Sequence, residues 1–406
     1  MDKQKRHKPE GKPTRIMIVA GEASGDLHGG GLAYALFSKN RDIDLVGFGG
    51  KTMRAAGVDV RFDIKKLGIV GIVEILFYFR VLLEAYRAAV SLLQEEVDLL
   101  VLIDFSGFNL RVAKAAKRFG IPVVYYVSPQ VWAWRADRVK TIAERVDQMI
   151  VILPFEKEIY DKAQVPCEFV GHPLLDEFER VKQLNAAAPG QARAARFPII
   201  ALLPGSRTRE VMSLLPVMLA GVECLFDEYP DLQVLIPVAS SLPEDLIPGM
   251  TRVSRFPIQL VHGTVYDVFE DADIAVVASG TATLQGALAA VPMVVVYKVS
   301  WISYILAKSL VRVKSISLAN IVADEPFIPE LIQKEVSPLR IAEELRRLLR
   351  DEHTREKMRQ ELRVVSGRLG TPGASDRAAS IIFRVLHKTQ ARGQEESLKA
   401  ALRVPA

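Results

Sequence analysis

The chain has 406 residues, 50% of them hydrophobic and 25% charged, which is too long for one compact core of ordinary size and makes two domains the default. Its 53 basic and 48 acidic residues leave a formal +5, but residues 1–15 hold Lys3, Lys5, Arg6, Lys8, Lys12 and Arg15 against Asp2 and Glu10. The rest is nearly neutral, which gives no support to a nucleic-acid groove, and two cysteines, Cys167 and Cys224, exclude a disulfide framework or a cysteine-rich zinc site and fit a reducing cytoplasm.

Residues 1–14 are polar and basic, without the apolar centre of a secretory signal, and read as a disordered leader. From 15 to 180, short β-rich runs (Arg15–Ala20, Leu45–Phe48, Leu99–Ile103, Pro122–Val127, Gln148–Ile152 and a candidate sixth at Cys167–Val170) each precede a turn and a segment of helical period. That rhythm predicts βα units around a parallel sheet. The stretch 181–196, polar and Ala-rich, reads as a linker. The rhythm restarts over 197–345 with Pro198–Leu203, Gln233–Pro237, Ile258–Val261, Ile274–Ala278 and Met293–Tyr297, giving an α/β fold of two doubly wound parallel-sheet domains. Helices are expected over Pro338–Leu349 and Asp376–Leu386, and 388–406 reads as a frayed polar tail. Two apolar segments rimmed by Lys and Arg, Leu67–Tyr86 and Trp301–Lys314, suit either core helices or a membrane surface. The longest apolar run, Leu67–Leu83, carries Glu74 and Arg80 and falls short of the roughly 20 residues that span a bilayer.

Several turns carry candidate chemistry. Gly21-Glu22-Ala23-Ser24-Gly25-Asp26 links the first strand to a helix; its glycines at 21, 25 and 29 do not form the dinucleotide fingerprint, and its acids would repel a pyrophosphate. A hydroxyl-rich ligand or a domain-closure role on one side, and a plain tight turn on the other, are equally good readings. Gly205-Ser206-Arg207 occupies the equivalent place in the second half, where a guanidinium beside helix-start amides can clamp a diphosphate, or can simply face solvent. Ser279-Gly280-Thr281-Ala282-Thr283 puts three hydroxyls at a helix start as a neutral anion cradle, with Gln285 one turn on to reach a ribose or base. Asp104, at the end of an apolar strand, can take a proton from an attacking hydroxyl or cap the next helix. Trp132, Trp134 and Arg135 suit an aromatic wall or sugar stacking. His28, His172 and His262 sit apart in the sequence, and Asp271-Ala272-Asp273 reads as a solvated turn, so no metal is expected.

Read together, these segments resemble the lipid-A-disaccharide synthase family: Gly21 to Asp26, Val70-Gly71-Ile72-Val73-Glu74, Ile103-Asp104, Tyr126 to Pro129 with Val131 to Arg135, Leu153-Pro154-Phe155-Glu156, Leu203 to Arg207 and Ser279 to Leu284 follow in order. The resemblance implies two Rossmann-like domains of the glycosyltransferase B type with an interdomain cleft, helices within 346–387 packing back toward the first domain, and metal-independent inverting transfer with no cofactor. It implies transfer of 2,3-diacylglucosamine from its UDP derivative to the 6-hydroxyl of 2,3-diacylglucosamine 1-phosphate in lipid A biosynthesis. Asp104 would be the base and Glu22 a second acid; Gly205, Ser206, Arg207, Ser279, Gly280, Thr281, Thr283, Gln285 and Asn320 would hold UDP; Ser24, Gly25, Asp26, Trp132 and Arg135 would line the acceptor side. A cytoplasmic enzyme resting on the inner membrane is implied, with a homodimer left open. Two positions depart from the family pattern: Gln285 replaces a Glu and Gly107 replaces an Asp. A nucleotide-sugar 2-epimerase and a non-catalytic sugar-nucleotide or lipid binder are the competing classes.

Overall fold

The computed structural model describes residues 12–67, 75–95, 97–134, 137–187, 198–239, 241–252, 254–299 and 314–401. The 70–74 motif, Arg135, most of the second apolar segment and residues 188–197 lie outside this set. The chain divides into two compact units at Pro173/Leu174 and returns to the first at Thr371.

In the first unit, β1 (Thr14–Val19), β2 (Ile43–Gly49), β3 (Asp59–Asp63), β4 (Leu99–Ile103), β5 (Val123–Tyr126), β6 (Gln148–Val151) and β7 (Cys167–Phe169) form one sheet in the order β3-β2-β1-β4-β5-β6-β7. All its pairings are parallel. The connecting helices are α1 (Ala23–Lys39), α2 (Lys51–Ala55), α3 (Ile75–Gln94), α4 (Ser106–Arg118), α5 (Val131–Trp134), α6 (Arg138–Arg145) and α7 (Glu156–Lys162). Helices cover both faces of a parallel sheet, so its inner strands are continuous apolar runs. Leu99 to Ile103 are wholly buried. Edge strand β3, Asp-Val-Arg-Phe-Asp, has only Phe62 fully inside and therefore carries no such run, which is why the sequence pattern passes over it.

The second unit contains α8 (Leu174–Ala187), β8 (Ile199–Leu203), α9 (Thr208–Glu223), β9 (Gln233–Pro237), α10 (Leu246–Thr251), β10 (Ile258–Val261), α11 (Val265–Asp271), β11 (Ile274–Ala278), α12 (Thr281–Leu288), β12 (Met293–Tyr297), α13 (Leu318–Ala323), β13 (Glu330–Ile332), α14 (Pro338–Arg350) and α15 (Glu352–Arg368). Its sheet runs β10-β9-β8-β11-β12-β13, again parallel. Three-residue β13 is too short to show a period.

Three boundaries differ from the sequence expectation. The linker placed at 181–196 starts inside α8, whose Val181 is buried and whose Phe178 ring lies 5.2 Å from that of Tyr266; alanine is a strong helix former as well as a linker residue. The boundary at 345/346 falls within α14, and α14 and α15 both belong to the second unit. Only α16 (Ala374–Ala401) returns to the first unit, and it carries the expected frayed tail on as helix to Ala401. It is fastened there by Arg377 Nε donating to the Val170 carbonyl at 2.9 Å and by Arg384 gripping both Glu168 oxygens at 2.5 and 2.6 Å.

Gly47 in β2 takes φ +156° where the β2–β3 register shifts, and a Cβ there would overlap the Ile18 carbonyl oxygen. Gly47→Ala is expected to destabilise the protein by about 2 kcal/mol or more in urea denaturation; an unchanged midpoint would show that the bulge relaxes freely.

Candidate active site

In each unit the strand order reverses once, between β1 and β4 and between β8 and β11. Crossovers from these neighbouring strands leave in opposite directions, which opens a crevice at their carboxyl ends. The in-register pairs Val19–Leu102 and Leu203–Val277 bring the Gly21 and Asp104 turns together in the first unit, and the Gly205 and Ser279 turns together in the second.

Asp104 and Phe105 both adopt left-handed backbone, φ +45° and +43°. For non-glycine residues this costs roughly 1–2 kcal/mol each. Three bonds fix the turn: the Asp104 N–H donates to Val127 O at 3.3 Å, and its carbonyl accepts from the Tyr125 hydroxyl at 2.5 Å and from Asn109 Nδ2 at 2.8 Å. The Phe105 ring fills the space a Cβ at residue 21 would need, so Gly21 is required by close approach. The result is a half-buried carboxyl held up to about 6, chiefly by burial and next by the negative charge of Glu22, against the opposing pull of the Phe105 N–H.

Glu22 and Ser24 are exposed at the start of α1, and a Cβ on Gly25 would come within 3.2 Å of the Ala20 side chain. Asp26 behaves differently from the sequence expectation. Its carboxylate accepts from the N–H groups of Gly50, Thr52 and Met53 at 2.5, 2.9 and 3.1 Å. Buried there, it caps α2 rather than facing an acceptor, because three helix-start amides offer it more than solvent does.

The Trp132 indole N–H donates to Glu156 Oε1 at 3.2 Å and its ring stands edge-on to Phe155, so its polar end is turned into the fold. Glu156, fully buried, also accepts from Leu153 N at 3.2 Å. Burial drives its carboxyl from the ordinary 4.5 up to about 8, which keeps it protonated at neutral pH. Ser128 Oγ and Tyr160 Oη sit 2.7 Å apart in the same cluster. The sequence singled out neither Glu156 nor Tyr160 chemically; their only signal is polar residues within apolar surroundings. His28 and His172, separate in sequence, are neighbours in space, and burial lowers them to about 4 and about 3, with the charge of His28 adding to the effect on His172.

In the second unit Gly205, at φ +107°, makes the turn into α9, and Ser206 presents an exposed side chain. Arg207 is 72% exposed, 3.0 Å from Glu210. A pair so solvated contributes little and exchanges readily for a stronger anion. Gly280, at φ +150°, precedes α12. The cradle of three hydroxyls shrinks in the structure: Ser279 Oγ donates to Ile316 O and Thr283 Oγ1 to Gly280 O, both at 2.8 Å. Each hydroxyl has one proton, so only exposed Thr281 and the helix-start amides remain as donors toward solvent. Gln285 bonds the Tyr266 hydroxyl.

Asn320 is another departure. It is 1% exposed, its Oδ1 accepts from Ile328 N at 3.0 Å, and its Nδ2 donates to Ile328 O at 3.0 Å and Glu330 Oε1 at 2.8 Å. Glu330 in turn accepts from Ile316 N and Ser317 N, both at 2.9 Å. Both amide protons and one oxygen lone pair are thus committed to holding the loop that Ser279 touches. Asp273 of the acidic string likewise serves the fold, accepting from Ile199 N at 2.9 Å. Among the described residues no cluster of three or more His, Cys, Asp or Glu could hold a metal ion.

A family model described as lipid-A-disaccharide synthetase matches residues 16–382. The chain is 43% identical over 380 residues to the lipid-A-disaccharide synthase of Geobacter sulfurreducens, covering 93% of this chain and 99% of that one. With the synthase of Geobacter metallireducens it shares 44% over 375 residues, 92% and 98% of the two chains. Among solved structures, the calicheamicin glycosyltransferase CalG4 superposes with a TM-score of 0.60 at 16% identity, covering 91% of this chain and 98% of that one. The UDP-GlcNAc 2-epimerase of Neisseria meningitidis gives 0.62 at 13%, covering 92% and 100%. At those identities the likeness is one of fold: two glycosyltransferase B-type domains.

The unfolded chain releases the Glu156 proton near 4.5 and the folded chain keeps it up to about 8, so Glu156 lowers stability progressively as pH rises between those values. Glu156→Gln has no proton to lose and is expected to gain on the parent from about pH 5 to about pH 8 in denaturant titrations; parallel curves would refute this. Asn320→Ala should cost about 1–3 kcal/mol by stranding the Ile328 N–H and C=O. Loss of UDP affinity at unchanged stability would instead mean direct ligand contact.

Proposed function

The chain belongs to the lipid-A-disaccharide synthase family, glycosyltransferases that join a UDP-sugar donor to a glycosyl acceptor, and we propose that it moves 2,3-diacylglucosamine from its UDP carrier to the 6-hydroxyl of 2,3-diacylglucosamine 1-phosphate. The carrying observation is Asp104, a half-buried carboxyl clamped in a strained turn at the β1/β4 reversal with an acidic neighbour. A base near 6 is ionised at cytoplasmic pH yet more basic than an ordinary aspartate, which suits removal of a hydroxyl proton as attack develops.

In this reading the acceptor O6–H proton passes to Asp104, O6 bonds to the donor C1 from the face opposite the diphosphate, and the C1–O bond breaks with its electron pair leaving on UDP. The configuration inverts. Arg207, released from Glu210, and the amides at the starts of α9 and α12 take up the diphosphate charge. Glu22 serves by keeping Asp104 basic. The acyl chains call for a lipid surface, and the outer face of α3 supports one: Phe79 (65% exposed) and Leu83 (48%) lie beside Arg80 and Arg87, an apolar strip with cations for anionic headgroups. No helix among the described residues is long and apolar enough to cross a membrane.

UDP release in detergent micelles is expected only when both acylated glucosamines are present, with a disaccharide 1-phosphate in the mass spectrum. UDP from the donor alone, or an epimerised donor, would reject the transfer. Asp104→Asn should abolish turnover while leaving UDP binding intact. kcat/KM should rise with pH through an apparent value of about 6, and Glu22→Gln should move that limb to lower pH because it removes the charge opposing Asp104 ionisation. A limb unmoved by Glu22→Gln would remove Glu22 from this role.

A further inference from the structure

We infer that Glu156 is a positioning residue for the transfer: in its acid form it donates to Ser128 and thereby fixes the turn that joins Asp104 to Trp132. Its effect on turnover rests on the transfer proposed above, whereas the hydrogen-bond arrangement is a property of the first unit alone.

Three neighbouring strand ends meet here. Asp104 follows β4, Val127 and Ser128 follow β5, and Glu156 opens α7 after β6. Val127 takes φ +63°, a left-handed conformation that a β-branched residue adopts only under constraint. It is pinned from two sides: its N–H donates to Ile150 O at 3.0 Å, and its carbonyl accepts from the Asp104 N–H at 3.3 Å. Buried Ser128 comes next, and its hydroxyl is the hub of the cluster. Ser128 Oγ donates to Pro129 O at 2.8 Å, the same carbonyl that accepts from Val131 N at 2.6 Å where α5 begins. The Glu156 carboxyl receives the Trp132 indole N–H one turn position later, so a single group serves both ends of the segment 128–132.

A hydroxyl has one proton and two lone pairs. The Ser128 proton is spent on Pro129 O, so the Tyr160 hydroxyl, 2.7 Å away, donates to Ser128 Oγ and takes one lone pair. The other lone pair is left for Glu156, which also bonds Ser128. Only the acid form can fill it, since a carboxylate has no proton to give. Ionised Glu156 is met only by turning the Ser128 proton away from Pro129 O, which loosens the start of α5 and the Val127 turn together. Burial holds the Glu156 carboxyl up at about 8, so the acid form is the resting one. Among the described residues the ionisable groups that its charge reaches are Tyr160 on its own helix and Cys167 on β7. Burial raises both, the thiol to about 12, so neither ionises in the range where Glu156 does.

The test is a pH profile of the parent, Glu156→Gln and Glu156→Leu. In the parent, kcat/KM should fall about fivefold from about pH 8 to about pH 9, as for one group that must keep its proton. Glu156→Gln, whose amide can donate to Ser128 and accept from Trp132, should turn over without that fall. Glu156→Leu should lose kcat about tenfold or more per folded molecule at every pH. Tryptophan fluorescence reads the network without turnover: emission of the parent should titrate near 8, and that of Glu156→Gln should stay flat. A fall that persists in Glu156→Gln, a parent without an alkaline fall, equal fluorescence titrations, or unchanged turnover per folded molecule in Glu156→Leu would each overturn the assignment. Should Glu156→Gln fail to fold, Trp132→Phe decides: it removes a bond that favours the anion, so the fall should move to higher pH, and an unmoved fall sinks the proposal. If the parent turns over no acceptor at any pH, the transfer reading fails, and the fluorescence titration alone decides the network.

Discussion

The parallel pairing of β1 with β4, and of β8 with β11, is the constraint on which everything else rests. Because each sheet reverses its strand order at that pair, the turns that follow the two strands meet at one crevice instead of being carried to opposite faces. Asp104 is at a crevice because Leu102 is level with Val19, and the Gly280 turn meets Arg207 because Val277 is level with Leu203. The buried apolar runs that make these strands adhere are therefore also what positions the polar turns.

Within that frame, burial sets the protonation of each ionisable group differently. Asp104 is half-buried beside a carboxylate and is left near 6, able to gain and lose a proton in the working range. Glu156 is wholly buried and stays neutral, held by the Trp132 indole and the Leu153 amide. His28 and His172 go the other way, since burial disfavours the charged form of either sign. Of these groups, Asp104 alone sits in a turn strained on both of its residues, and strain of this kind persists only where the surroundings over-determine it. Here they do so through Tyr125, Asn109, Val127 and the absence of a side chain at Gly21.

The second unit shows how a polar side chain's limited bonding capacity separates scaffold from ligand contacts. Ser279, Thr283 and Asn320 read alike as nucleotide ligands by the family resemblance, yet Ser279 donates to Ile316 O, Asn320 donates to the Glu330 carboxylate that holds Ser317, and Thr283 bonds back to Gly280 O within its own turn. What faces solvent is Arg207, Thr281 and helix-start amides. The network rigidifies the turn, and the groups it leaves outward are those an anion can use without breaking the fold.

The sequence by itself determined the two-sheet α/β class, nearly all inner strands and the identity of the motif-bearing turns, because buried parallel strands are continuous apolar runs and glycine turns follow them at regular intervals. It missed β3 and β13, whose exposed edge or short length erases the pattern, and it read the C-terminal half of α8, from Val181 to Ala187, as linker. Only the tertiary structure decided what each polar residue bonds to. Asp26 serves as a helix cap and Asn320 as a loop clamp, since these outcomes depend on partners 8 to 27 positions away that no local pattern encodes.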